Sequence, residues 1–304
     1  MTAHVAVAFC TYERPALVGP LLDAIARSVR EDRPGETVPI VVVDDSPGAS
    51  ARLVVEAHAR EDSSIHYVHT GSRDISTARN AAVTIASALA EFVVCLDDDC
   101  LPEPHWLGTL LEAADRWDAD IVTGHHRFVA APAASRWLHR EPFLLEHAEY
   151  DEGCIPPIGN MANVLMRSEW LRATAVRFHP NFGGVGGEDM VFFADATAAG
   201  ARVRYTARSA VHEAVGGTRA TFRYQLWRQH WLGNNEAHIN LSTGAARPLR
   251  LAARGARRVL RGLTWPVHSC RSNGAMQWHW ALGQIASGAG LLTGVLGVRV
   301  AHRA

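Results

Sequence analysis

Three consecutive aspartates, Asp97 to Asp99, follow directly on the apolar run Phe92-Val93-Val94-Cys95-Leu96. A short β-branched run of this kind reads as a buried strand. Three unpaired carboxylates cannot follow it into a core, because each would lose its hydration with nothing in return. The cluster must therefore sit at an open strand end, against a cation, or both. A hard ion such as Mg²⁺ or Mn²⁺ suits oxygen ligands of this type. Alternation along an extended chain puts Asp97 and Asp99 on one side and Asp98 on the other. A solvated acidic turn ahead of the next helix is the plain alternative.

The same pattern of strand followed by acid occurs earlier. Val5 to Phe9 reads as a strand, Ala16 to Val29 as a helix and Ile40 to Val43 as a second strand, which ends in the turn residues Asp44-Asp45-Ser46-Pro47-Gly48. Ala51 to Glu61 has helical spacing, His66 to His69 reads as a third strand and Thr77 to Leu89 as a helix. Strand, helix, strand in succession predicts a parallel sheet. In open α/β sheets ligands bind at the carboxyl ends of the strands, where both acidic clusters fall. Beyond Pro102 the pattern predicts a helix over Trp106 to Trp117 and a strand over Ile121 to Gly124. The stretch holding Pro132, Pro142, Pro156 and Pro157 has little periodicity and reads as functional loop. Residues 125 to 185 are where acceptor choice is expected. Met161 to Met166 reads as a strand leading to a helix, Met190 to Ala199 as a helix and Val203 to Tyr205 as a strand.

Gly186-Gly187-Glu188-Asp189 offers a second pair of carboxylates on a glycine-rich loop. A carboxylate there can remove a proton from an attacking hydroxyl, and Asp189 ahead of Met190 can equally cap a helix. His212, a few residues past the strand at Val203 to Tyr205, is a further metal ligand if Asp99 holds an ion; a lone histidine is more often structural. Arg219, Arg223 and Arg228 could neutralise a diphosphate or simply line a solvated helix face.

Composition narrows the partners. The formal charge of -1 over 304 residues gives no overall attraction to nucleic acid. Cys10, Cys95, Cys100, Cys154 and Cys270 contain no C-x-x-C pair and are odd in number, which argues against a zinc knuckle or a disulfide framework and fits a reducing cytoplasm. Residues 1 to 20 carry no basic segment followed by a continuous apolar core, so no secretory signal is expected. From about Arg219 the chain becomes Trp-rich and Arg-rich helix. Arg247, Arg250, Arg254, Arg257, Arg258 and Arg261 alternate with Leu and Val in a basic amphipathic segment. No charged residue stands between Arg271 and Arg299, but Gln277, His279, Gln284, Ser287 and many glycines make this stretch too polar for an ordinary span. A helix packed on the core, at a homodimer contact or on the inner face of the plasma membrane is expected instead.

Together these pieces resemble the family-2 glycosyltransferases, over about residues 3 to 235. The resemblance rests on Phe9-Cys10-Thr11-Tyr12-Glu13-Arg14-Pro15, Val42-Val43-Asp44-Asp45-Ser46, Ala78-Arg79-Asn80, Leu96-Asp97-Asp98-Asp99, Gly187-Glu188-Asp189, and Val211-His212 followed by Arg219. It implies an α/β fold of the GT-A type, with a Rossmann-like, mostly parallel sheet flanked by helices over residues 1–235 and a C-terminal helical extension over 236–304. It implies an inverting transferase that moves a sugar from a nucleoside diphosphate donor, UDP or dTDP, to a glycan, lipid-linked or small-molecule hydroxyl. Thr11, Tyr12, Glu13, Arg14, Asp44, Asp45, Arg79, Asp97 and Asp98 would line the nucleotide-sugar pocket, with Asp44 pairing with the base. Asp97 to Asp99 look like the family's D-x-D metal motif for Mg²⁺ or Mn²⁺, with Asp99, Asp97 and His212 as ligands. Asp189, with Glu188 beside it, looks like the catalytic base. Glu13 stands where the family more often has Asn.

Two other classes use similar parts. A nucleotidyltransferase also places metal-binding carboxylates on an α/β sheet, but would be expected to carry a Gly-rich basic loop after the first strand, and Thr11 to Pro15 contains neither Gly nor Lys. A non-catalytic nucleotide-sugar-binding protein would have no use for Asp189.

Overall fold

The computed structural model describes residues 3–130, 138, 150–156, 159–269 and 278–301. Pro132, Pro142, Pro157, Cys270, Arg271 and Gln277 of the sequence reading lie outside the described residues.

The strands are β1 (Ala3–Thr11), β2 (Ile40–Asp44), β3 (Ile65–His69), β4 (Ala90–Asp97), β5 (Cys100–Pro102), β6 (Ile121–Ala130), β7 (Asn163–Arg167) and β8 (Val203–Val215). Between and after them run α1 (Pro15–Asp32), α2 (Arg52–Glu61), α3 (Ile75–Leu89), α4 (Trp106–Arg116), α5 (Ser168–Ala173), α6 (Glu188–Ala198), α7 (Phe222–Ser242), α8 (Pro248–Ser269) and α9 (Trp278–Val295). One sheet has the order β3-β2-β1-β4-β7-β6-β8-β5. The expected parallel pairing holds for β3, β2, β1 and β4. Beyond β4 the sheet is mixed: β7 is antiparallel to both β4 and β6, and β5 is antiparallel to β8.

Alternation along β1 divides the core. Val5, Val7 and Phe9 face Leu21, Leu22 and Ile25 of α1 and Trp106, Leu107 and Leu110 of α4. Ala6 and Ala8 face Ala78, Ala82, Val83 and Ala86 of α3, with Phe192 of α6 on the same side. Both faces of the sheet are covered, which is why the parallel strands read as unbroken apolar runs rather than alternating ones. The small side chains on the α3 side let that helix lie close to β1. Asn163 on β7 is fully buried and satisfied: its Oδ1 accepts from Trp106 Nε1 at 2.7 Å, and its Nδ2 donates to the carbonyls of His125 and Ser209.

Several boundaries differ from the sequence reading. The three-residue strand β5 is too short to give a periodic signal. β8 continues to Val215, so His212 lies within a strand rather than beyond one. α6 begins at Glu188 rather than Met190, which puts Glu188 and Asp189 in its first turn. Carboxylates are favoured there by the helix dipole.

By compactness the chain divides into two units, Met1–Arg127 with His147–Gly184 and Glu188–Glu213, and Phe128–Glu146 with Val185–Gly187 and Ala214–Ala304. The boundary expected at residues 235/236 falls within α7, which is one continuous helix. In the second unit α7, α8 and α9 pack together. Glycines set their spacing: a Cβ on Gly233 would lie 2.0 Å from the carbonyl oxygen of Ser287, and one on Gly290 would lie 1.9 Å from that of His230. Among the described residues no helix is long and apolar enough to cross a membrane.

Candidate active site

Strand register gathers the acidic residues. Thr11 is level with Asp44, and Cys10 with Asp97, so the carboxyl ends of β1, β2 and β4 open together. At that edge the first unit assembles a network of carboxylates and guanidiniums from β1, α3, β4 and α6.

Arg79 of α3 is its centre. Its Nη1 lies 2.6 Å from Glu188 Oε1 and its Nη2 lies 2.8 Å from Asp97 Oδ1. Burial alone would lower the Arg79 pKa, but Glu188, Asp97 and Asp189 outweigh it and raise the value, so the guanidinium stays charged. The planar fork of arginine suits a bridge of this kind, where a lysine offers a single point. Burial also raises the pKa values of Glu188 and Asp189, opposed in each case by Arg79. Asp189 Oδ1 accepts from the Met190 N–H at 2.7 Å. Unlike buried Glu188, Asp189 keeps part of its surface exposed. It stands within the first helical turn rather than ahead of the helix as an N-cap.

A second cluster surrounds Asp98, which is buried. Thr11 Oγ1 donates to it at 2.8 Å and Arg14 Nη1 at 3.1 Å, and the same Nη1 donates to Asp99 Oδ2 at 3.0 Å. Burial pushes the Asp98 carboxyl up to about 6, with Arg14 working in the opposite direction. Asp97 is the most open of the three, with 39% of its side chain exposed. Its Oδ2 accepts no hydrogen bond among the described residues. A partly exposed carboxylate of this kind, next to Asp99 on the same strand end, is a hard oxygen donor set of the type that Mg²⁺ and Mn²⁺ take. The residues therefore fit a divalent cation at Asp97 and Asp99, while both oxygens of Asp98 are held by Thr11 and Arg14.

Asp44 and Asp45, which the resemblance sets in the nucleotide pocket, are both buried. Asp44 has no exposed surface; its oxygens accept from the N–H groups of Ser46 and Ala51 and from Tyr67 Oη. Asp45 accepts from Thr70 Oγ1, from the N–H and Oγ of Ser72, and from the N–H of Asp74. Both carboxylates hold the turns after β2 and β3, in keeping with the turn chemistry of Asp44-Asp45-Ser46-Pro47-Gly48. Glu13 takes a left-handed backbone, φ 53°, with its N–H bonded to Ser46 Oγ. That turn leaves Tyr12 39% exposed at the rim.

His212 does not join Asp97 and Asp99 in a ligand set. Its Nε2 lies 2.5 Å from Glu103 Oε1, because β8 runs antiparallel to β5 and brings His212 level with Leu101. Among the described residues the three potential ligands that do converge, with atoms within 4.8 Å of one another, are Cys100, His126 and Glu213. His126 Nε2 is 3.0 Å from Glu213 Oε2 and 3.7 Å from Cys100 Sγ. Burial, with Asp97, Asp99 and Glu213 nearby, holds the Cys100 thiol protonated. No spacing rule links residues 100, 126 and 213, since the pairing of β5 with β8 joins Cys100 to Glu213 and the place of β6 beside β8 brings in His126.

The comparisons agree with this architecture. A family model described as Glycosyl transferase family 2 matches residues 6–174. The chain is 30% identical over 303 residues to the Succinoglycan biosynthesis protein ExoM of Rhizobium meliloti (strain 1021), covering 98% of this chain and 94% of that protein. In structure it is similar to the mannosyltransferase PcManGT from Pyrobaculum calidifontis, solved in complex with GDP-Man and Mn²⁺. The TM-score is 0.62 at 17% identity, over 98% of this chain and 88% of the other. It is also similar to S. aureus TarS 1-349 in complex with UDP-GlcNAc, with a TM-score of 0.54 at 15% identity over 95% and 90% of the two chains. Fold and relatives define a glycosyltransferase of the GT-A type. The acidic motif at the end of β4 and the one at the start of α6 stand in the order expected from the sequence. The chain belongs to the family 2 glycosyl transferases.

Proposed function

We propose that the enzyme transfers a sugar from a nucleoside diphosphate donor, UDP or dTDP, to a hydroxyl of a growing envelope glycan, with inversion at the anomeric carbon. The observation that carries this reading is the division of labour between Glu188 and Asp189. Glu188 is buried against Arg79 at 2.6 Å, while Asp189, one residue on, remains partly exposed. Glu188 thus acts as a positioning residue that holds Arg79, and Asp189 is the group able to meet an acceptor. Burial raises its pKa and so makes it a stronger base than an ordinary aspartate. In the proposed step Asp189 takes the acceptor proton as the acceptor oxygen bonds to the anomeric carbon. The bond from that carbon to the diphosphate oxygen breaks, and the nucleoside diphosphate leaves with the electron pair. A divalent cation held by Asp97 and Asp99 would offset the charge of the diphosphate as a Lewis acid. Arg14 keeps Asp98 and Asp99 in place, and exposed Tyr12 is suited to cover the base.

ExoM supports the choice of a glycan acceptor through its name; the UDP-GlcNAc bound in one structural neighbour supports a uridine nucleotide donor, and the Mn²⁺ held by the other, beside GDP-Man, supports the ion. The test is Asp189→Asn. Turnover should fall by roughly 10²- to 10⁴-fold, with donor affinity by calorimetry within a few-fold of wild type. A collapse of donor binding alongside activity would mean that Asp189 belongs to the donor pocket or the helix start and is not the base.

A further inference from the structure

We infer that α8 is a membrane-binding element that lays one face on an anionic lipid surface. Leu249, Ala253, Ala256, Leu260 and Leu263 recur at spacings of three and four, so they form one stripe along the helix. All five are exposed, with Leu249 at 85%, Leu260 at 59% and Leu263 at 61%. At about 1.5 Å per residue the stripe is roughly 20 Å long. Beside it, on one flank only, stand Arg250, Arg257 and Arg261, also exposed. Among the described residues these three pair with no carboxylate.

The arginines of the helix do not all behave alike. Arg254 and Arg258, further round the same flank, both reach Glu236 of α7, at 2.7 and 2.6 Å. The opposite side, with Leu251, Gly255 and Gly262, is buried. Around the helix the order is therefore buried contact, arginines neutralised within the unit, exposed arginines, and apolar stripe. Packing within the unit accounts for the first two; the last two have no partner among the described residues.

Charge selects the occupant. Neither α8 nor α9 contains an aspartate or glutamate. A second copy docking through the same face would set arginine against arginine, with no carboxylate on either helix to answer it. A bilayer containing anionic phospholipid supplies both parts the face lacks: an apolar layer for the leucines and phosphates for Arg250, Arg257 and Arg261. The side chain of Trp278 at the start of α9, exposed in the same unit, is of the type that settles at a headgroup boundary.

The experiment is flotation of the full chain with vesicles of two parts phosphatidylcholine to one part phosphatidylglycerol, at low and at high salt. Wild type should float at low salt. Replacing Arg250, Arg257 and Arg261 together by Gln should weaken partitioning by about 10²-fold, each charge near such a surface contributing roughly fivefold. Replacing Leu249, Leu260 and Leu263 by Ser should weaken it at both salt concentrations. Because all six residues are exposed, thermal midpoints and donor hydrolysis should match wild type, and these controls distinguish loss of membrane binding from loss of fold. Wild type remaining at the bottom of the gradient would overturn the inference. So would equal binding to pure phosphatidylcholine, or a concentration-dependent dimer that the leucine substitutions abolish while vesicles bind nothing. Failure of donor hydrolysis in every form would count against the proposed transfer reaction and leave the flotation result intact.

Discussion

Removing Arg79 tests the network that joins β4 to α6. In Arg79→Met the carboxylate of Glu188 loses its partner, with 11% of the arginine side chain and 7% of the glutamate side chain exposed in the intact pair. Breaking a buried pair by deleting one member costs about 3 to 5 kcal/mol. Asp97 is far more exposed, and its lost pairing adds at most about 1 kcal/mol. Glu188 has a pKa already raised by burial, so it can take a proton when the guanidinium is gone, which limits the loss to the lower part of that range, about 3 kcal/mol. With a urea slope of about 2 to 3 kcal/mol per molar, the unfolding midpoint should fall by about 1 to 1.5 M. Glu188→Gln alone should cost less, because Arg79 keeps Asp97. The double substitution should recover about 2 kcal/mol relative to the sum of the singles. Arg79→Lys should rescue only part of the loss, since one ammonium cannot span both carboxylates as the fork does. A midpoint for Arg79→Met within about 0.3 M of wild type, or strict additivity in the cycle, would refute the placing of a buried ion pair here.

Two further outcomes follow from the same site. Chelation with EDTA should abolish transfer, with activity restored by Mn²⁺ or Mg²⁺; Asp99→Ala should lose both transfer and the metal-dependent part of donor binding, and full activity in EDTA would refute the role given to Asp97 and Asp99. For pH, the folded value of Asp98 is raised from 3.8 to about 6, so between those values the folded state holds more protons than the unfolded one. Its contribution to stability is therefore present below 3.8 and is lost as pH rises through about 6. Urea midpoints of wild type and Asp98→Asn across this window should show the wild-type curve falling more steeply with pH, and parallel curves would contradict the burial argued for Asp98.

What the sequence determined by itself was the order of elements in the parallel half and the existence of the two acidic clusters. Those signals are local. β-branched runs such as Val5 to Phe9, Ile40 to Val43 and Phe92 to Leu96 fold as strands because both their faces are buried, and the charges that follow them must stop at the sheet edge. The motifs at Asp97 to Asp99 and at Glu188-Asp189 could be read from adjacent residues alone. Tertiary structure decided which carboxylates remain open. Asp44 and Asp45 read as pocket residues in one dimension, and only the folding back of the turns after β2 and β3 gives each of their oxygens a donor. Glu188 and Asp189 are neighbours of the same type, and only the position of Arg79, 109 residues away from Glu188 along the chain, gives the first a buried ion pair while the second keeps part of its surface. His212 pairs with Glu103 because β5 and β8 run antiparallel, a register no periodicity records. The arginines of α8 are alike in the sequence, and only the packing of α7 against that helix gives Arg254 and Arg258 a carboxylate while leaving Arg250, Arg257 and Arg261 facing solvent. Hydrogen bonds and ion pairs act over a few ångströms, so which groups are satisfied depends on distances that exist only after the chain has folded.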